Sequence, residues 1–171
     1  MRYQIVTLLL ILTGCASLKT YDISGEVTKY GIVEVLASGN FYSEPNSLAG
    51  YAEDNVQMQI VSETTKIPLR QGIAFGFTWC ANGLPEGDVT FIYEYVHPPA
   101  KEGPKPGSTI FEEEFVIEKH DSSEYCSIDA YSISEKWEMI PGEWTISIRF
   151  QNKLLATKTF EVIEDTNNAN H

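Results

Sequence analysis

Residues 71–80, QGIAFGFTWC, decide the fold, because every second side chain from residue 73 onward is large and apolar. Ile73, Phe75, Phe77 and Trp79 share one face of an extended chain, and smaller side chains share the other. A repeat of two residues is typical of a β-strand with one buried face, whereas an amphipathic helix repeats about every 3.6 residues. The stretch therefore predicts a strand that contributes four side chains to a hydrophobic core.

The same alternation recurs along the chain. In residues 144–150 four large apolar side chains alternate with three polar ones, and residues 125–133 group Cys126, Ile128 and Ala130 on one face. The remaining alternating stretches are residues 21–36, 56–61, 88–97, 109–118 and 153–163. Turn-forming pairs such as Asn82-Gly83 and Pro141-Gly142 lie between them. About eight short strands predict an all-β chain, folded as an antiparallel sandwich or a small barrel.

The composition is that of one folded domain with an acidic surface. Of the 171 residues 43% are hydrophobic, and 24 acidic against 12 basic residues give a formal net charge of −12 at pH 7. Length and hydrophobic fraction favour a single domain with a substantial core. The negative charge excludes nucleic acid from the expected partners. It favours basic partners or cations, or it serves solubility alone.

The N-terminus has the pattern of an export signal. Arg2 precedes the apolar run IVTLLLIL at residues 5–12, which is shorter than the roughly 20 residues that a membrane-spanning helix needs. Leu12-Thr13-Gly14-Cys15 follows and resembles the lipobox of bacterial lipoproteins. The resemblance implies that residues 1–14 are a signal peptide and that Cys15 becomes the lipidated N-terminus. The alternative is an ordinary secretory signal with an incidental cysteine.

The lipobox resemblance also implies a location. Cys15 is followed by Ala16 rather than Asp, a pattern that in enteric-type lipoproteins accompanies transport to the outer membrane. Several acyl chains, palmitate among them, would anchor the protein stably where one chain alone binds only marginally. The protein is therefore expected in the bacterial cell envelope, attached to the outer membrane and facing the periplasm, with residues 15–20 as a short tether.

Two cysteines remain after lipidation of the first. An even pair in an oxidising compartment favours a disulfide between Cys80 and Cys126. The chain-entropy estimate for closing so long a loop is about 4 kcal/mol. Such a bond could join the two sheets or cross the edge of one sheet. The alternative is two separate buried thiols.

The C-terminal half resembles a known class of domain. Residues 137–144, WEMIPGEW, are followed by two closing strands, as at the end of many secreted immunoglobulin-like modules. With Gly72 to Phe77 and the turn Pro85-Glu86-Gly87, the chain over residues 21–163 resembles a secreted bacterial family known only as a domain of unknown function. The resemblance implies an immunoglobulin-like β-sandwich of about seven to eight strands in an exported protein. It implies neither an activity nor a site. The polar composition of residues 164–171 separately predicts a flexible tail.

The long loop at residues 37–55 is the first candidate for a binding surface. Aromatic side chains lie beside carboxylates there, a composition typical of recognition surfaces. The candidate residues are Phe41, Tyr42, Glu44, Tyr51, Glu53 and Asp54. The alternative is that these side chains fold back over a sheet edge. The proline-rich loop at residues 98–106, which carries Lys101 and Lys105, is the second candidate.

Catalytic and cofactor signatures are absent from the sequence, so neither a cofactor nor a metal is expected. The three histidines, His97, His120 and His171, form no HExxH pattern. In the run Glu112-Glu113-Glu114, a strand would turn Glu113 toward the apolar face and its two neighbours toward solvent. Acid–base chemistry by Glu113 would need a second acid at the separation that glycosidases use.

These observations predict a non-enzymatic, lipid-anchored envelope module that binds a protein or a cell-wall component. One competing hypothesis is an inhibitor of a basic secreted hydrolase such as a lysozyme, because the mature charge would steer a basic partner. Loss of Arg2 with the signal peptide changes the net charge from −12 to −13. A second hypothesis is a glycan- or acyl-directed hydrolase, and a third is a purely structural part of a larger complex.

The lipobox predicts the result of replacing Cys15. The Cys15→Ala protein should lose the membrane fraction and appear soluble, because the thiol is the lipid acceptor and residues 16–171 offer no second lipobox. Fractionation of cells that express either form, followed by detection of the protein, measures this. Equal membrane retention of both forms would contradict lipid anchoring through this residue.

Overall fold

The structure is a computed structural model that describes residues 22–165. The expected signal peptide, Cys15, the tether and the tail from residue 166 lie outside the described residues. Within this range the chain forms eleven strands and one short 3-10 turn at Lys136–Glu138. The strands are β1 Ser24–Ala37, β2 Asn40–Ser43, β3 Tyr51–Asp54, β4 Gln57–Ser62, β5 Lys66–Leu69, β6 Ala74–Asn82, β7 Gly87–Val96, β8 Ile110–His120, β9 Glu124–Ser132, β10 Gly142–Phe150 and β11 Lys153–Glu164.

The strands form two facing sheets and a separate hairpin. One sheet has the order β4-β1-β6-β9, the other has the order β5-β11-β10-β7-β8, and β2 pairs with β3. Adjacent strands are antiparallel except for β5, which runs parallel to β11. The all-β antiparallel sandwich that the alternation predicts is confirmed. No helix within residues 22–165 has the length and apolar character needed to cross a bilayer.

Eight of the strands coincide with the eight alternating stretches, and three short strands were not predicted. β2, β3 and β5 have four residues each, too few to show a period of two. β5 contains Pro68, which removes a backbone donor and is tolerated because β5 lies at a sheet edge. β2 and β3 lie in the segment at residues 37–55 that the sequence suggests is a loop.

The core between the sheets is built from interlocking aromatic rings. Phe75 of β6 contacts Trp144 and Phe160 of the opposite sheet, with ring centroids 5.9 and 5.2 Å apart. Trp79 packs edge-on against Phe91 at 5.0 Å. These side chains are fully buried, which confirms the inward faces predicted for residues 71–80 and 144–150. Truncation of one such ring to alanine costs about 3–5 kcal/mol of stability.

β9 turns its less hydrophobic face inward. Cys126, Ile128 and Ala130 do share a face, but that face points away from the core, and Cys126 is exposed. Asp129 and Tyr131 are buried on the opposite face. Hydrophobicity alone therefore selects the wrong side of this strand. The inward position of Asp129 has consequences for the site described below.

Cys80 and Cys126 form the predicted disulfide. The two residues are direct cross-strand neighbours on β6 and β9, with their Cα atoms 4.1 Å apart. Of the two arrangements open from the sequence, the bond crosses the edge of one sheet and does not join the two sheets. It ties the edge strand β9 covalently to its neighbour.

Loss of this bond should lower the free energy of unfolding. We expect the double variant Cys80→Ser, Cys126→Ser to be less stable by roughly 2–4 kcal/mol, because the bond restricts the unfolded chain. Urea denaturation followed by tryptophan fluorescence measures the difference. A reducing agent should destabilise the unaltered protein and leave the double variant unchanged. An equal unfolding midpoint for both proteins without reductant would contradict a stabilising role.

Candidate functional site: an acidic and aromatic cleft at the sheet edges

The edge strands β8 and β9 belong to opposite sheets. A cleft of about 760 Å³ extends from the gap between them around β9 to the outer face of its sheet, beneath the β2–β3 hairpin, where Met58, Ile128 and Ala130 line it. We call it the inter-sheet cleft. Its volume is within the range of small-ligand sites. Its lining includes the carboxylates of Glu53, Asp54, Glu113, Asp129 and Glu138 and the rings of Phe41, Tyr42, Tyr51, Tyr93, Tyr95, Phe111, Phe115 and Tyr131. No lysine, arginine or histidine is among the described residues that line it.

The β2–β3 hairpin covers the cleft and is held together by its own side chains. The Glu53 carboxylate accepts a hydrogen bond from the backbone nitrogen of Gly39 at 2.6 Å. The Asn40 side chain donates to Asp54 across the pair at 3.1 Å. Phe41 packs edge-on against Tyr51, with ring centroids 5.7 Å apart. These contacts order a short hairpin whose β2 side chains are all exposed.

Three side-chain contacts attach the hairpin and its turn to the sandwich. The Tyr42 hydroxyl donates to the Glu113 carboxylate of β8. The Tyr51 hydroxyl donates to Glu135 at 3.4 Å, and the Trp137 indole nitrogen donates to the carbonyl of Leu48 at 3.0 Å. Leu48, in the turn of the hairpin, is buried in the hydrophobic core. The hairpin is therefore fixed by polar contacts at both sides of the cleft and by one apolar anchor in its turn.

Glu113 has the orientation predicted from its strand. Its side chain points inward, in line with Phe111 and Phe115, while Glu112 and Glu114 are exposed on the outer face. Burial raises the pKa of the Glu113 carboxyl, and the hydrogen bond from Tyr42 opposes that rise. The sequence identifies this residue as the acid on an apolar face, and the structure places it in the wall of the inter-sheet cleft.

Two acids that line the inter-sheet cleft are buried, Asp129 and Glu138, and the carboxylate of Asp129 is bonded to side chains rather than to backbone nitrogens. The Asp129 side chain is 8% exposed and accepts a hydrogen bond from the Trp79 indole nitrogen at 3.0 Å. The Tyr93 hydroxyl provides a second hydrogen bond. Burial raises the pKa of the Asp129 carboxyl to about 7; the two hydrogen bonds oppose this effect and the charge of Glu113 adds to it. At this point β9 and β6 approach each other closely. A Cβ atom on Gly76 of β6 would lie only 1.9 Å from the Asp129 carbonyl oxygen, so no larger residue fits there.

Tyr95 presents its hydroxyl to the cleft, where the group makes no hydrogen bond to the described residues. The residue is 5% exposed and its ring stacks on Phe111, with centroids 4.5 Å apart. Burial, followed by the nearby charges of Asp129 and Glu113, raises the pKa of the Tyr95 hydroxyl far above its usual value. The hydroxyl therefore stays protonated and faces two carboxylates in the inter-sheet cleft.

Glu138 lines the inter-sheet cleft but has a structural role. Its carboxylate accepts hydrogen bonds from the backbone nitrogens of Ser134 and Glu135, at 2.9 and 2.7 Å, and from the Tyr131 hydroxyl. Burial raises the pKa of this carboxyl, while the hydrogen bonds oppose the rise. With three donors, Glu138 closes the 3-10 turn at Lys136–Glu138 and has little capacity left for a ligand.

The structure brings five of the six predicted surface residues to the inter-sheet cleft. Phe41, Tyr42, Tyr51, Glu53 and Asp54 line it. Glu44 instead lies with Lys105 in a shallow depression on the outer side of β8. The segment does fold over a sheet edge, and in doing so it completes a cleft.

Sequence analysis missed the residues opposite the hairpin. Tyr93 and Tyr95 match the pattern of ordinary core positions, and Asp129 lies on the face of β9 that hydrophobicity does not select. The signal that could have found them is the alternation of Tyr125, Asp129 and Tyr131 along β9, an aromatic and acidic face on a strand whose opposite face is aliphatic. Acidic and aromatic side chains on the same face of a strand indicate a polar site at the border of the hydrophobic core.

One group of described residues has side-chain atoms close enough to share a metal ion, namely Cys80, Glu124 and Cys126. Both sulfurs are consumed by the disulfide, so neither can act as a thiolate ligand. The group therefore belongs to the framework of the domain.

His97 also belongs to the framework. It is buried against Trp144, with ring centroids 5.1 Å apart, and its Nδ1 pairs with the Pro98 carbonyl at 2.8 Å. Its Nε2 has no hydrogen-bond partner among the described residues. Burial lowers the pKa of His97, which is consistent with a neutral ring packed into the core.

The chain is similar in fold to an immunoglobulin-like protein from Pseudomonas aeruginosa. The TM-score is 0.53 at 22% identity, over 82% of this chain and 97% of that chain. This likeness confirms the immunoglobulin-like sandwich. A weaker likeness is to an alkylpurine DNA glycosylase of Pseudomonas fluorescens, with a TM-score of 0.37 at 12% identity over 57% of this chain and 27% of that chain. Another is to a β-glucosidase of Kluyveromyces marxianus, with a TM-score of 0.40 at 9% identity over 86% of this chain and 15% of that chain.

No protein of curated function matches the chain. A family model does match it, over residues 23–162, which is nearly the whole of the described sandwich. The match includes every residue of the inter-sheet cleft. The chain therefore belongs to the family described as a domain of unknown function, DUF3859.

Proposed function

We propose that this protein is a non-catalytic binding module of the bacterial cell envelope, which receives its ligand in the inter-sheet cleft. The observation that carries the proposal is one cleft lined by five acidic and eight aromatic residues, with no basic side chain among the described residues of its lining. Such a cleft offers large contact areas and fixed hydrogen-bonding groups together. An immunoglobulin-like fold in a family of unknown function is compatible with this role.

The carboxylates of the cleft favour binding over hydrolysis, although Glu113 and Asp129 converge there. A glycosidase needs one carboxyl protonated and its counterpart ionised, with environments that separate their pKa values. Burial raises the pKa of both Glu113 and Asp129. No positive side chain in the lining holds either one ionised. Neither carboxyl is thus paired with a cation among the described residues that would keep it ionised as a nucleophile or base, and we propose binding as the role of the pair.

The proposed anchor would keep the cleft near the membrane. Residues 16–20 span at most about 18 Å when fully extended. A lipid on Cys15 would thus hold the sandwich within a short distance of the bilayer, so we propose a partner that lies at or beneath the outer membrane. This partner is a protein or a cell-wall component; if it is a basic wall hydrolase, the module would act as its inhibitor.

Site-specific crosslinking from the cleft tests the binding role. A photo-reactive amino acid at Phe41, which is 65% exposed at the rim, should form a specific adduct in cells. The matched control is Leu154, 46% exposed on β11 and outside the lining of the cleft. An adduct from position 41 alone supports the cleft. Equal adducts from both positions, or none from position 41, would contradict it.

The electrostatics of the cleft predict how stability changes with pH. The folded pKa of Asp129, about 7, lies above the unfolded value of 3.8, so the folded state binds more protons between these values. The associated stability is fully present below about pH 4 and is lost as pH rises through 7. Asp129→Asn should therefore gain stability relative to the unaltered protein between pH 4 and 8, by about 2–4 kcal/mol, since each pKa unit is worth about 1.4 kcal/mol.

Urea denaturation of both proteins at pH 4 and at pH 8 measures this difference. The asparagine oxygen can still accept the hydrogen bond from Trp79, so the variant preserves the packing of the core. Asp121→Asn, in an exposed turn, is the control and should behave as the unaltered protein. A stability difference that does not change with pH would contradict the raised pKa of Asp129.

A further inference from the structure

We propose that the inter-sheet cleft binds an alkylammonium group, held between the carboxylates of Glu113 and Asp129 and flanked by the aromatic rings of β7 and β8. The inference rests on the binding role proposed for the cleft and names the chemistry of its ligand. The group is the charged end of a free polyamine or of a lysine side chain in a partner protein. Both sources present the same three N–H donors on an apolar stem.

Charge in the cleft is unbalanced among the described residues. Glu113 and Asp129 interact electrostatically with each other, and the lining contains no cation that would offset them. Removal of carboxylates from water is costly unless they are paired with a positive group. A cation between the two carboxylates would supply that partner. The net charge of −12 would also attract a cationic ligand from solution.

Two stacked ring pairs form the wall on either side of Glu113. Tyr95 stacks on Phe111 at 4.5 Å and Tyr93 stacks on Phe115 at 5.7 Å, each pair within 12° of parallel. Phe111 and Phe115 flank Glu113 on the inward face of β8. The rings provide apolar surface for the carbon stem of the ligand.

The Tyr95 hydroxyl offers a further polar contact to a ligand. Tyr95 is 5% exposed, and its hydroxyl faces the cleft without a hydrogen bond to the described residues. A ligand that bonds to this hydroxyl gives it a partner in an enclosed position. The oxygen can accept from an N–H group, while the proton can bond to a carboxylate. With Glu113 and Asp129 it completes three acceptors, which match the three donors of an alkylammonium group.

A bare divalent cation fits the site less well. Calcium takes six to eight oxygen ligands from a tight loop, whereas two of the carboxylates here already accept hydrogen bonds from Tyr42 and Trp79. A cleft of about 760 Å³ walled by aromatic rings accommodates an organic ion with a stem. The chemistry of the lining therefore indicates an organic ammonium ligand.

Isothermal titration calorimetry of the full mature protein in detergent tests the proposal. The probes are cadaverine, spermidine and a short lysine-containing peptide, and 1,5-pentanediol is the uncharged analogue of cadaverine. We expect saturable binding of the ammonium probes and at least tenfold weaker binding of the diol. If the polyamines bind more tightly than the peptide, the alkylammonium group comes from a free polyamine; if the peptide binds more tightly, it comes from a lysine of a partner protein. Binding of the diol equal to that of cadaverine would overturn the proposal.

Substitutions separate the site from general attraction to an acidic surface. Glu113→Gln and Asp129→Asn should each weaken binding at least tenfold, and Tyr95→Phe should weaken it to a lesser extent. Glu143→Gln, on the exposed face of β10, is the matched control and should bind as the unaltered protein does. Loss of binding by an equal factor in Glu143→Gln would overturn the proposal, because it would indicate non-specific charge attraction. Glu113 is only half-buried, so its variant tests the site even if Asp129→Asn fails to fold.

The pH dependence of binding gives a second readout. The titratable groups that face Asp129 are Tyr93 and Tyr95 of β7, Glu113 of β8 and Tyr125 of β9. Burial keeps the pKa of each tyrosine raised, so these hydroxyls stay protonated. The pKa of Asp129 is about 7, and burial also raises the pKa of Glu113. Affinity should rise from pH 5 to pH 8, and the rise should be smaller in Asp129→Asn, where only the Glu113 carboxyl still gains charge. Binding that is equally strong at pH 5 would overturn the role of Asp129.

Failure of this inference is distinguishable from failure of the proposed function. A crosslink from Phe41 without binding of any ammonium probe would reject the ligand class and leave the cleft as a binding site. Absence of both the crosslink and the binding would reject the cleft itself.

Discussion

The hydrogen bond between Trp79 and Asp129 is the interaction on which the site depends. The indole lies in the middle of the aromatic core, and its nitrogen needs an acceptor there. Asp129 supplies the acceptor, and this requirement turns the polar face of β9 inward. A carboxylate consequently lies at the border of the core, beside the tyrosines of β7. The cleft is thus an extension of the core in which one acid has replaced an apolar side chain.

The open side of the sandwich explains the place of the hairpin. β8 and β9 end their respective sheets and do not pair with each other, and unpaired edges favour association with neighbouring chains unless they are covered or charged. The hairpin passes over this side and is fixed by Tyr42, Tyr51 and Trp137. Leu48 anchors its turn in the core, while the two strands themselves are held by polar contacts, as suits a cover that admits a ligand.

The alternation of apolar and polar side chains in the sequence predicts most of the strands of the fold. It predicts the residues of the inter-sheet cleft only in part. Residues 71–80 and 144–150 predict strands and their buried faces because packing agrees with hydrophobicity there. Glu113 could be identified as an inward acid on the same ground. Asp129 could not, because a hydrogen bond rather than hydrophobicity decides the face of β9. The hairpin was missed since four-residue strands are formed by tertiary contacts and not by local preference.

The disulfide has a consequence for when the cleft is completed. Cys126 and Asp129 lie on the same edge strand, three positions apart, and the bond to Cys80 fastens that strand to β6. Disulfides form in oxidising compartments and rarely in the cytosol. Without the bond, this strand would be held by its backbone hydrogen bonds to β6 and by the packing of Tyr131 in the core. The wall of the cleft that carries Asp129 would therefore become covalently fixed only under oxidising conditions, so that the redox state of the surroundings would decide how rigid the cleft is.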